Sequence, residues 1–143
     1  VEIEELPWND HLDAIERGES PFFRLGWIAD YPDPENFLVL FYGKNVPDDP
    51  HERSYINPTR YKNPEFDALF EQAMRTINKS ARYNLLAQAL QITINDGVIL
   101  PLYYDEAERL LSLKVRNFPQ NPMEYRDFSR VYFKEPEEKN RPQ

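Results

Sequence analysis

The chain has 143 residues, 41% of them apolar and 14% aromatic, which is one domain's worth with a buried core and excludes disorder for most of its length. Its net charge of -8 argues against a nucleic-acid partner, because an acidic surface cannot replace the counterions around phosphates. Zero cysteines exclude disulfide frameworks, iron–sulfur clusters and cysteine nucleophiles, and no apolar run approaches the length that spans a membrane.

The chain opens on VEIEEL without a methionine, the start expected of a fragment. Trp8, Leu12 and Ile15 recur at helical spacing, and Gly18 is placed to stop that helix. PFFRLGWI follows. Its residues 22–28 alternate, with Phe23, Leu25 and Trp27 on one face and Arg24, Gly26 and Ile28 on the other, which predicts a largely buried strand. After it, Asp33 is expected to cap a short helix that starts at Pro34, with Phe37, Leu40 and Phe41 as its apolar stripe. Residues 44–61, with three prolines and several charges, form a long loop, and loops of that length are often functional or mobile.

The clearest helix start is Asn63 as cap and Pro64 in the first turn, with Phe66, Leu69, Phe70, Ala73 and Ile77 on one face. A further helix is expected over about 81–96, carrying Leu86, Leu90 and Ile94 inward and ending at Gly97. VILPLYY, residues 98–104, is a continuous apolar run of strand length, which fits a strand covered on both faces. Tyr103 and Tyr104 then point to opposite faces, one toward the core and one toward a cleft. Strands alternating with helices imply an α/β architecture, with 22–28 and 98–104 as sheet neighbours under two helices. The last ten residues, KEPEEKNRPQ, are a charged tail with nothing to bury.

Signs of catalysis are few. Asp30, Asp33 and Glu35 are closely spaced acids, but a calcium loop needs further oxygen ligands and a central glycine, and Pro32 and Pro34 supply neither. His11 lies in a helix and His51 in a polar loop, with no second histidine at ligand spacing. No phosphate-cradling loop, nucleophile elbow or paired-carboxylate signature is present. No catalytic residue, metal ligand or cofactor is therefore expected. Asp30, placed after the apolar run Trp27-Ile28-Ala29, reads either as the first residue of a turn or as a carboxylate that serves a ligand.

Several short motifs then stand together. They are Gly26-Trp27, Ala29-Asp30-Tyr31-Pro32-Asp33-Pro34, Asn36-Phe37-Leu38, Tyr61, Asn63-Pro64, Phe66-Asp67, Leu69, Arg82 and Pro101-Leu102-Tyr103-Tyr104. In this order and spacing the chain resembles the C-terminal part of the solute-binding proteins of bacterial peptide importers, the oligopeptide- and dipeptide-binding family. The resemblance implies a longer parent protein with two lobes that close over a peptide. Residues 1–116 would belong to its second lobe, and 117–143 would comprise a segment returning to the first lobe and the charged tail. It also implies a role for Asp30 as the group that receives the ligand's α-ammonium. Gly26, Trp27, Ile28 and Ala29 would lie along the peptide backbone, and Arg24 would meet a ligand carboxylate. The implied partners are a peptide and the permease subunits of an ABC transporter, in the periplasm or at the cell surface. Relatives that bind nickel chelates, haem or sugars leave a non-peptide solute open, as does recruitment as a sensor or interaction domain. Surfaces made for an absent lobe would also promote self-association.

Overall fold

A computed structural model describes residues 3–104, 106, 108–121, 123 and 125–134. The charged tail beyond Lys134 lies outside the described residues. The chain divides into two compact units, Val1–Pro101 and Leu102–Gln143.

The first unit is helical. Helix α1, Trp8–Arg17, ends on Gly18, whose φ of 74° is the left-handed value that glycine adopts without penalty. The N–H groups of Gly18 and Glu19 return to the Ile15 and Ala14 carbonyls, closing the helix end. A short helix α2, Glu35–Leu38, runs into a 3₁₀ turn, Val39–Phe41. Asp33 does cap it, accepting the Glu35 N–H at 2.9 Å. The buried face is Leu38 and Phe41, while Phe37 stays 45% exposed.

Helix α3, Pro64–Arg75, starts where its cap predicts, with Asn63 Oδ1 accepting from the Glu65 and Phe66 N–H groups at 2.9 and 3.2 Å. It ends two residues short of Ile77, which is fully exposed. Helix α4, Lys79–Asn95, is capped by Asn78 and packs against α3. Its inward residues are Leu86, Ala89 and Thr93, whereas Leu90 and Ile94 lie toward solvent. Ala89 joins the buried cluster that contains Phe66 and Phe70 of α3. The core is an aromatic layer around Phe66, which has no exposed surface. Phe70 stacks on it at 6.0 Å between centroids, and Phe41 and Tyr61 meet it edge-on at 6.5 and 6.0 Å.

The loop of residues 44–61 is pinned. Asn57 is wholly buried, donates to the Tyr42 and Tyr61 carbonyls at 3.2 and 2.9 Å, and accepts from Thr59. The Ser54 N–H and the Arg60 guanidinium both bond to the Glu16 carbonyl, tying the loop to the end of α1.

The strand expectations need correction. Neither 22–28 nor 98–104 is a strand, and the one sheet among the described residues joins β1, Val115–Arg116, to β2, Tyr132–Phe133, antiparallel in the second unit. The α/β class survives only in this small form, with no mixed sheet under the helices among the described residues. The physical reason is that a strand exists only as part of a ladder, and neither stretch joins one among the described residues. Among the described residues, 25–29 and 99–102 make no backbone-to-backbone hydrogen bonds. Their side chains are correspondingly uncovered: Phe22 is 83% exposed, Ile28 82% and Leu100 70%. Tyr103 and Tyr104 are both exposed, so neither enters a core.

In the second unit, Phe118 meets Phe128 at 5.8 Å, and Asp127 caps the turn Phe128–Arg130 through the Ser129 N–H. Phe128, Tyr132 and Phe133 remain more than half exposed.

Candidate functional site

The site is built on the extended residues 22–29 and the turn that joins them to α2. Alternation persists without a ladder: Phe23 and Ala29 are half-buried, Trp27 is 44% exposed, and Ile28 between them faces water. Asp30 is exposed and stands in the bend after this stretch, at the end of an extended segment rather than of a strand.

Asn36, in the first turn of α2, organises the bend. It is 4% exposed. Its Oδ1 accepts from Trp27 Nε1 at 2.9 Å and from the Asp30 N–H at 3.1 Å, and its Nδ2 donates to Asp30 Oδ2 at 3.3 Å. Asp30 and Trp27 are thus brought together by a residue that sequence reasoning noticed only as part of a motif. The available signal was an Asn six residues after the acid, in a helix start already capped by Asp33, where it had no capping work to do.

Asp33 is committed elsewhere. Arg82 of α4 grips it in a fork, with Nη1 to Oδ2 at 2.7 Å and Nη2 to Oδ1 at 2.9 Å. The Arg82 guanidinium holds the Asp33 carboxyl below the usual carboxylate range, and the pairing raises Arg82 in turn. The Tyr31 hydroxyl bonds to the Glu35 carboxylate, which pushes the phenol up. The three closely spaced acids therefore have separate tasks, and no group of three or more metal-binding side chains occurs among the described residues.

Arg24 is exposed, and its carbonyl bonds to the His11 ring at 3.0 Å. Gly26 lies in open space, where an added Cβ would meet nothing within 4 Å, so crowding does not demand glycine there. His51 lies exposed in the loop, as expected. An open depression of about 440 Å³ lies apart from these residues, lined by Gly43, Lys44, Asp48, Lys62, Asn63 and Asp67 among others. Its charges are mixed in sign, with Lys44 and Lys62 beside Asp48 and Asp67. What the site around Asp30 offers chemically is one carboxylate open to solvent, next to residues 25–29, which make no backbone-to-backbone hydrogen bond among the described residues.

No family model matches the chain. Curated proteins do. The chain is 34% identical over 104 residues to the oligopeptide-binding protein OppA of Bacillus subtilis, covering 73% of this chain and 18% of that one. It is 32% identical over 111 residues to the periplasmic oligopeptide-binding protein OppA of Salmonella typhimurium, covering 78% and 19%. It is also 32% identical over 121 residues to the heme-binding protein A of Haemophilus influenzae, covering 85% and 21%. The chain thus spans about a fifth of the length of these relatives. Similarity of this extent, to relatives named for binding oligopeptides, makes the chain a member of the oligopeptide- and dipeptide-binding family over that span.

Proposed function

We propose that this chain supplies part of the ligand-binding wall of an extracytoplasmic solute-binding protein, which captures peptides and hands them to the permease of an ABC transporter. The observation that carries the reading is Asp30: an open carboxylate at the end of a backbone row, residues 25–29, that makes no backbone-to-backbone hydrogen bond among the described residues. A peptide laid along that row in the manner of an added strand gains main-chain hydrogen bonds whatever its side chains are. A charge-assisted bond from its α-ammonium to Asp30 then fixes direction and register. Trp27, Ile28 and Ala29 supply the backbone groups, Gly26 lets the ligand approach, and Arg24 meets a ligand carboxylate. No step of covalent chemistry is involved, so the protein binds and releases.

On the same reading residues 1–116 belong to the second of two lobes and 117–143 return toward the first. The exposure of Phe128, Tyr132 and Phe133 supports this, since apolar side chains of that size are normally covered. By itself the chain would pair with a second copy through such surfaces. A non-peptide solute is the second reading, favoured by the relative named for haem.

The test is calorimetry on the intact protein that carries this segment, wild type and Asp30→Asn, with peptides whose amino end is free or acetylated. Removing one partner of a charge pair closed off from water costs about 3–5 kcal/mol, or roughly two to four powers of ten in affinity. The free peptide should lose that much on Asp30→Asn, and the acetylated peptide very little. Equal binding of both peptides by the wild type would make Asp30 a turn residue and favour the second reading.

A further inference from the structure

We infer that Asn36 is a positioning residue of this site: its buried amide holds the Asp30 carboxylate in place without neutralising it, and thereby sets the preference for ligands with a free ammonium. The inference rests on the reading of Asp30 as the ammonium-binding group.

The chemistry of the amide settles its orientation. Two N–H groups, from Trp27 and from the Asp30 backbone, converge on one Asn36 atom, and only the carbonyl oxygen can accept both. The NH₂ group is therefore turned to Asp30 Oδ2 at 3.3 Å. All three of these bonds run from a residue on α2 to Trp27 and Asp30, in the extended stretch and the bend. The backbone bond sets where the Asp30 main chain turns, and the side-chain bond sets how its carboxylate is rotated.

The contrast with Asp33, three residues on, shows why a neutral partner matters. Asp33 gives both oxygens to the Arg82 fork, so its charge is already balanced within the protein. Asp30 has no ion-pair partner among the described residues, and its Oδ1 accepts no hydrogen bond there. A cationic side chain in the place of Asn36 would orient Asp30 equally well but would compete with the ligand's ammonium for its charge. An amide orients it and leaves the full negative charge for the ligand. Two acids of one turn are thus divided between holding the turn and meeting the ligand.

Calorimetry on the intact protein with trialanine and N-acetyl-trialanine tests this, using wild type, Asn36→Ala, Asp30→Asn and the double variant. Asn36→Ser, which keeps a hydroxyl in the buried position, is measured beside Asn36→Ala, and the thermal unfolding of each is recorded. The expected result is a loss of about 10- to 100-fold for trialanine on Asn36→Ala or Asn36→Ser, the worth of a hydrogen bond to a charged group. The acetylated peptide, and trialanine in the Asp30→Asn background, should change by no more than about twofold. A wild type that prefers trialanine, joined to Asn36 variants that weaken both peptides alike or that do not fold, overturns the positioning role alone. A wild type that binds both alike, or neither, removes the reading of Asp30 and the inference with it.

Discussion

Arg82→Ala is the sharpest probe of how the turn beside Asp30 is fixed. The Arg82 fork makes two charge-assisted bonds to Asp33, and the side chains are only 19% and 26% exposed. Solvent-exposed pairs contribute about 0.2–1 kcal/mol, whereas breaking a fully buried one costs about 3–5 kcal/mol. With most of both side chains out of water but Asp33 able to rehydrate once Arg82 is gone, the loss should be about 2 kcal/mol, as for hydrogen bonds to charged groups. Arg82→Lys keeps the charge and loses the fork, and should cost about half of that. Urea unfolding at neutral pH measures both, as a lower midpoint at unchanged slope. The pH dependence has a definite sign. Arg82 depresses the folded-state pKa of Asp33, so the stabilisation is present above the unfolded carboxylate value, about 3.9, and is lost as pH falls through the depressed value. The gap between wild type and Arg82→Ala should therefore be widest at neutral pH and close in acid. A variant within about 0.5 kcal/mol of wild type at pH 7, or a gap that stays open in strong acid, refutes the reasoning.

Two further predictions concern the core and a close approach. Phe66→Ala removes the ring on which Phe41, Tyr61 and Phe70 all pack, and should cost about 3–5 kcal/mol in the same unfolding assay; a loss below about 1.5 kcal/mol would mean that the aromatic layer collapses into the gap. Gly43→Ala places a Cβ 2.6 Å from Asp67 Oδ2, whose other oxygen accepts the Gly43 N–H at 2.8 Å, and should cost about 1–3 kcal/mol; most of that penalty should vanish in an Asp67→Ala background, and its persistence there would point to the backbone instead.

What the sequence made legible was local. The start of α3 is encoded by Asn63-Pro64, and the end of α1 by Gly18, because a cap or a left-handed turn involves atoms only a few residues apart. The capping role of Asp33 was legible for the same reason. The inward face of α4 was not. Leu90 and Ile94 carry the apolar signal, but the face that packs holds Ala89 and Thr93, and which face meets a second helix leaves no trace in one helix's pattern. The loop of residues 44–61 reads as loose, yet buried Asn57 satisfies four backbone and side-chain partners from within it. At the candidate site Asp30 and Trp27 stood out by resemblance. Asn36 entered only as one letter of a motif, because its contribution to the bend depends on which atoms its amide reaches.

The failed strand expectations carry the most physical information. Residues 22–28 have the alternation of a strand and 98–104 the continuous apolarity of one, and both patterns describe what a segment wants beside it. The helical part of the first unit meets its own demands, with capped ends and a closed aromatic layer, whereas residues 25–29 and 99–102 make no backbone-to-backbone hydrogen bonds among the described residues, and Phe22, Ile28, Leu100 and Tyr104 stand in water. An unpaired row of N–H and C=O groups recruits an extended backbone of any sequence. On the proposed reading this indifference is useful, since a peptide carrier must hold many sequences by what they share. It is also a hazard, because nothing in such a row selects direction or register. A single fixed charge at its end removes that freedom: a peptide slid by one residue along the row moves its ammonium about 3.4 Å from the carboxylate, beyond hydrogen-bonding reach. On that reading Asp30 would perform the selection only with its own position fixed, and the bonds that would fix it are those from Asn36 of α2 to its N–H and its carboxylate.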